Sequence, residues 1–225
     1  MYQVSVGWYE QGRTFPTPPM GERDTTEGNE TGPRELIASL RGRNVLLTGP
    51  PMVGKDEFAL DVVGVAGRDG RDVVLVTTTR SAPRLLEDRN PDELGYVIDC
   101  TPVDVTEREW VTSLTSPGDL TGISMPLSDF LADATAPAVV FDSLSTVLMY
   151  TGQSAAFRFL SVLTTHVRSA DGLGLFTLDS SAHDEQTVRT LAQLFDARVQ
   201  VRTQQEVTEV KATGIDGLAT EWTQG

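Results

Sequence analysis

Asn44-Val45-Leu46-Leu47-Thr48-Gly49-Pro50-Pro51-Met52-Val53-Gly54-Lys55-Asp56 is the stretch that decides the fold. An apolar run of strand character enters a glycine-bounded turn. Residues 54–64 leave it with Phe58, Leu60, Val62 and Val63 available for one buried helical side. Gly49 to Lys55 matches G-x-x-x-x-G-K, the pattern of a loop whose backbone N–H groups cradle phosphates. Gly49 and Gly54 let the chain turn tightly, the following helix N-terminus adds partial positive charge, and Lys55 can reach the outer phosphates. The candidate binding set is therefore Gly49, Pro50, Pro51, Met52, Val53, Gly54, Lys55 and Asp56. Asp56 departs from the pattern, because Ser or Thr stands there when its hydroxyl ligates Mg²⁺. Asp56 either takes that metal role or answers the helix N-terminus with no metal.

Downstream, Ala138-Val139-Val140-Phe141-Asp142 is four apolar residues followed by Asp. A strand of that kind beside a phosphate loop carries the acid that holds Mg²⁺, so Asp142 is a metal candidate together with Asp56. An Asp that caps the next helix is the structural alternative.

Working outward, 72–77, 95–99, 138–142 and 174–178 read as buried strands, and 110–114 as an outer one. Helices are expected around 83–88, over 127–133 started by Ser128 or Pro126, over 155–168 and over 185–194. Residues 198–202 and 206–212 read as a closing pair of strands, and 33–40 as a short helix. Residues 1–32, rich in Gly, Pro, Thr and Glu, read as a flexible tail before a single domain over 33–225. Continuous apolar strands alternating with amphipathic helices imply a mostly parallel sheet covered on both faces, with ligands at the carboxyl ends of the strands.

The loop, Val74-Leu75-Val76-Thr77-Thr78-Thr79-Arg80-Ser81 and Val139-Val140-Phe141-Asp142-Ser143-Leu144-Ser145 together resemble the RecA/KaiC-like P-loop superfamily. Longer strings, among them Ser116-Pro117-Gly118-Asp119-Leu120-Thr121-Gly122-Ile123 and His183-Asp184-Glu185-Gln186-Thr187-Val188, resemble its haloarchaeal HTR-like branch. The resemblance implies a RecA-like α/β core that binds ATP with Mg²⁺. It also implies one or two Glu residues after the second strand to activate water. Here those places hold Thr79 and Arg80, neither of which can act as a carboxylate base. Asp179 could substitute, or simply cap its own turn. By the same resemblance Lys211 would reach a neighbouring subunit's nucleotide, and His183 lies where such folds sense the terminal phosphate.

The chain carries 32 acidic and 18 basic residues, a net charge of −14, and its only lysines are Lys55 and Lys211. That acidic, lysine-poor surface resembles proteins of salt-loving archaea. It weighs against nucleic acid as a partner. One cysteine, Cys100, and two histidines exclude an internal disulfide and a Cys/His metal cluster. No apolar run is long enough to span a bilayer and the start does not read as a signal peptide, so a cytoplasmic protein is expected. The leading expectation is a nucleotide-binding regulatory or signalling protein, with weak or absent hydrolysis and with itself or another protein as partner. The rival is a degenerate ATPase kept as a nucleotide-independent scaffold. A recombinase-like DNA-binding ATPase ranks last, since residues 101–135 are acidic or neutral.

Overall fold

The computed structural model describes residues 42–101, 108–204, 207–214 and 221–224. The expected tail (1–32) and short helix (33–40) lie outside the described residues. Within them the chain runs β1 (Asn44–Gly49), α1 (Lys55–Arg68), β2 (Val73–Thr77), α2 (Ala82–Asp88), β3 (Tyr96–Asp99), β4 (Val111–Ser113), α3 (Leu120–Asp133) and β5 (Ala138–Asp142). It continues through α4 (Leu144–Thr151), α5 (Gln153–Ser169), β6 (Leu173–Asp179), α6 (Glu185–Ala192), β7 (Ala197–Gln204), β8 (Val207–Thr213) and β9 (Thr223–Gln224).

All the strands join one sheet in the order β4-β3-β2-β5-β6-β1-β7-β8-β9. The pairs from β4 to β7 are parallel, and β8 and β9 close the edge antiparallel. Burial on both faces explains the unbroken apolar strands. Val45, Leu47, Leu75, Val140 and Leu175 pack with Leu60 and Val63 of α1 on one face. Leu46, Val76, Phe141 and Phe176 point to the other face, against Phe130 of α3, Leu160 of α5 and Leu191 of α6. This is the expected RecA-like α/β core, a mostly parallel sheet flanked by helices on both faces.

Two helices differ from the sequence reading, and β9 is a short strand it did not expect. The helix expected over 127–133 starts at Leu120, with Pro126 inside it. Asp119 caps it: its carboxylate accepts from Gly122 N at 2.8 Å. Residues 144–151 form α4, which the sequence reading left without an element. Its N-cap is Ser143, whose hydroxyl accepts from Ser145 N.

This order places the chemistry. β1 sits between β6 and β7, and its chain returns to β2 two strands beyond β6. The register sets Gly49 opposite Asp179 and Thr77 opposite Asp142. The ends of β1, β2, β5 and β6 therefore meet along one carboxyl edge.

Candidate functional site

The loop between β1 and α1 has the backbone its sequence demands. Gly54 lies at φ 87° and forms the N-cap of α1. A side chain at Gly49 would press against the Val201 carbonyl at 2.7 Å, so the loop departs where only glycine fits. Met52, also in the left-handed region, is 99% exposed at the loop tip. Among the described residues, no hydrogen bond uses the N–H groups of Met52, Val53, Gly54, Lys55 or Asp56. Successive unused donors at a helix N-terminus are the kind of arrangement that can receive an anion.

Lys55 is buried, at 4% exposure. Its Nζ donates to the Pro50 carbonyl at 3.2 Å and lies 3.5 Å from Asp56 Oδ1. The lysine is thus folded back onto its own loop. Asp56 keeps about half of its side chain exposed.

Asp142 is 3% exposed at the end of β5. Its Oδ1 accepts from Thr177 Oγ1 at 2.6 Å and its Oδ2 from Thr79 Oγ1 at 2.9 Å. Burial, reinforced by the Asp56 charge, raises its carboxyl above the ordinary range, and the hydrogen bonds from Thr177 and Thr79 and the Arg80 charge pull the other way. The peptide joining Asp142 to Ser143 is cis. Among the described residues no cluster of three or more His, Cys, Asp or Glu is arranged to hold a metal. Two neighbouring carboxylates without a cage suit a cation that takes its remaining ligands from phosphate and water. The donor set therefore fits a magnesium nucleotide.

Thr79 and Arg80 occupy the turn after β2. Thr77 Oγ1 donates to the Arg80 carbonyl at 2.6 Å and pins that turn. Arg80 Nη1 pairs with Glu57 of α1 at 2.8 Å. Neither residue supplies a base. Asp179 caps its own turn, Oδ1 accepting from Ser181 N at 3.0 Å and Ser181 Oγ at 2.8 Å. His183 Nε2 lies 2.9 Å from Ser145 Oγ, which also accepts from Asp179 N. Lys211 sits opposite Gln200 on β8, two strands out from β1, and is not part of the loop cluster.

The structure thus gathers Gly49–Asp56, Asp142, Thr79 and Arg80 at one edge, with His183 beside them on the β6 side. Glu57, Ser145 and Thr177 are partners the sequence reading missed. Thr177 carried a faint signal, a lone polar residue in an apolar strand.

Comparison with known proteins bears on the fold and the family. The model of a family of unknown function, DUF7504, matches residues 42–201. No curated protein matches. The crystal structure of the flagellar accessory protein FlaH from Methanocaldococcus jannaschii is similar in fold, with a TM-score of 0.58 and 11% sequence identity, over 82% of this chain and 84% of that one. Among the described residues no helix is long and apolar enough to cross a membrane.

Proposed function

We propose, from the premise that the chain belongs to the family of unknown function DUF7504, that it binds ATP with Mg²⁺ at Gly49–Asp56 and acts as a regulatory or signalling switch with slow or absent hydrolysis. The observation that carries this reading is the row of unused N–H donors from Met52 to Asp56 beside a buried Lys55. The backbone donors would bind the phosphates, and Lys55 would leave Pro50 to neutralise the outer ones. Asp142, with Asp56, would hold the metal. Mg²⁺, when bound, would supply positive charge that offsets the charge of the phosphates. Thr79 and Thr177 fix the Asp142 carboxylate from both sides. Slow turnover follows from the want of a base, since Thr79 and Arg80 cannot take a proton from water. A cytoplasmic, salt-adapted archaeal setting and the HTR-like branch belong to the same proposal, supported by the acidic, lysine-poor composition and the strings quoted above.

One observation favours the rival scaffold: Lys55 already has partners in Pro50 and Asp56 within its own loop. Binding and turnover of ATP, measured together in high salt with Mg²⁺ for wild type and Lys55→Ala, separate the readings. Binding that Lys55→Ala abolishes, with little turnover, supports the switch. Fast turnover would place a base elsewhere. A folded wild type that binds no nucleotide would leave only the scaffold.

A further inference from the structure

The geometry points to Arg80 as a ligand for the terminal phosphate of a bound nucleoside triphosphate, a cation standing where a hydrolytic enzyme would carry its acid. The inference rests on the loop being a nucleotide site. Four observations carry it.

The first is position. The turn holding Arg80 is fixed at both ends: Thr77 Oγ1 accepts from Arg80 N as well as donating to its carbonyl. The adjacent Thr79 hydroxyl bonds Asp142. The guanidinium therefore starts from the edge where the metal-binding acid lies. The second is charge. Arg80 brings a cation to the strand end that carries Asp142, whose Oδ2 accepts from the hydroxyl of the adjacent Thr79. The third is its partner. Glu57, which Arg80 holds at 2.8 Å, lies in the first turn of α1, directly after Lys55 and Asp56. Arg80 thus bridges β2 to the helix that follows the phosphate loop. The fourth is an unfilled donor. Arg80 Nη2 is buried and has no acceptor among the described residues. A covered guanidinium nitrogen without an acceptor is costly, and a planar fork is built to take two oxygens at once.

The present partner is replaceable. Glu57 is more than half exposed and is shared with Arg89, whose Nη2 reaches it at 3.2 Å and Asp61 at 2.8 Å. A solvent-facing ion pair of this kind is weak. A terminal phosphate offers more charge and better-directed oxygens. Turning the guanidinium from Glu57 toward the loop satisfies Nη2 and leaves Glu57 to Arg89. A diphosphate, one phosphate shorter, leaves Arg80 on Glu57. The chain then distinguishes triphosphate from diphosphate by binding alone, which is what a switch without a hydrolytic base requires.

The test is calorimetric titration of the full chain, with Mg²⁺, using ADP and the non-hydrolysable imido analogue of ATP. Arg80→Ala is expected to weaken the analogue about tenfold or more while moving ADP less than about twofold, as loss of one charge-assisted contact implies. Arg80→Lys is expected to fall between, and Glu57→Gln, which frees the guanidinium, to raise the analogue-to-ADP preference. Equal losses for both nucleotides, or none, in Arg80→Ala overturn the assignment and leave the loop reading intact. A wild type that binds neither probe overturns both. If Arg80→Ala does not fold, an unchanged preference in Arg80→Lys and Glu57→Gln overturns the assignment instead.

Discussion

At Asp142 the proposed metal-holding role and the stability of the fold oppose each other. Its carboxyl is buried, and its pKa is raised in the folded state. A carboxyl shifted in that direction favours folding while protonated; the contribution is present below the ordinary carboxylate range and lost as the pH rises through the folded value. Near neutrality the raised pKa therefore costs the folded protein stability. Asp142→Asn keeps an acceptor for one threonine and offers a donor to the other. It is expected to raise the melting temperature by about 2–4 °C near pH 7, the shift that about 1 kcal/mol gives a domain of this size. The gain should shrink as the pH falls below the ordinary carboxylate range, where Asp142 is protonated in both states. The same variant should lose magnesium-dependent nucleotide binding. Melting curves across that range, paired with titrations, check both halves; a variant less stable at neutral pH would refute the argument. Cys100 gives a second residue-level test. Burial, with help from the Asp99 and Asp119 charges, pushes its thiol up to about 12. It should resist an aromatic disulfide reagent at pH 8 and react only on unfolding. The strand–loop–helix turn, Asp142 at the end of its strand and the Thr79–Arg80 turn were legible in sequence because each is a residue type at a fixed place in a strand–loop–helix order. Thr177, Ser145 and Glu57 were not, because each acts through a neighbour that only the sheet register and the helix docking supply.

At the scale of elements, α3 turns on its cap. Asp119 folds over Gly122, where an added Cβ would fall 2.2 Å from Asp119 Oδ2. A larger residue at 122 would make the Asp119 carboxylate shift. Asp119→Ala should cost about 1 kcal/mol, the usual worth of an N-cap, and Asp119→Asn much less. Chemical denaturation of the pair checks this, and equal losses would show that packing rather than capping sets the start of the helix. The same residues explain why sequence placed the start too late. Thr121, Gly122 and Pro126 each disfavour a helix taken singly. What overrides them is burial of Ile123, Leu127 and Phe130 against the sheet. α4 escaped for a related reason: Leu144-Ser145-Thr146-Val147 mixes hydroxyl and β-branched residues of modest helix propensity, and Ser143 at the cap position reads equally as a turn. The strands were legible because burial on both faces writes an unbroken apolar run, a signal that needs no partner to be read.

On the whole molecule, two electrostatic effects compete. A net charge of −14 makes the folded surface repel itself, and compaction brings those charges together. Against this stand ion pairs such as Arg80 and Arg89 with Glu57 and Asp61, Arg168 with Asp196 and Arg202 with Glu209. Salt weakens both, shortening the screening length from ~10 Å at 0.1 M to ~3 Å at 1 M. The pairs are short-ranged and face solvent on at least one side, where each contributes about 0–1 kcal/mol. The repulsion is summed over many carboxylates at longer separations, which is the part that screening removes first. The melting temperature should therefore rise between ~0.1 M and ~1 M potassium chloride, with most of the gain at the lower end of the series. A continued rise above that range would belong to ion-specific hydration of the carboxylates rather than to screening, and exchanging chloride salts at constant ionic strength would expose it. A fall with salt would mean that the Glu57–Arg80–Arg89–Asp61 network outweighs the net charge. In that case Glu57→Gln, the variant that frees Arg80, should remove most of the salt dependence, tying the stability of the whole chain to the ion pair that joins α1 to the turn after β2.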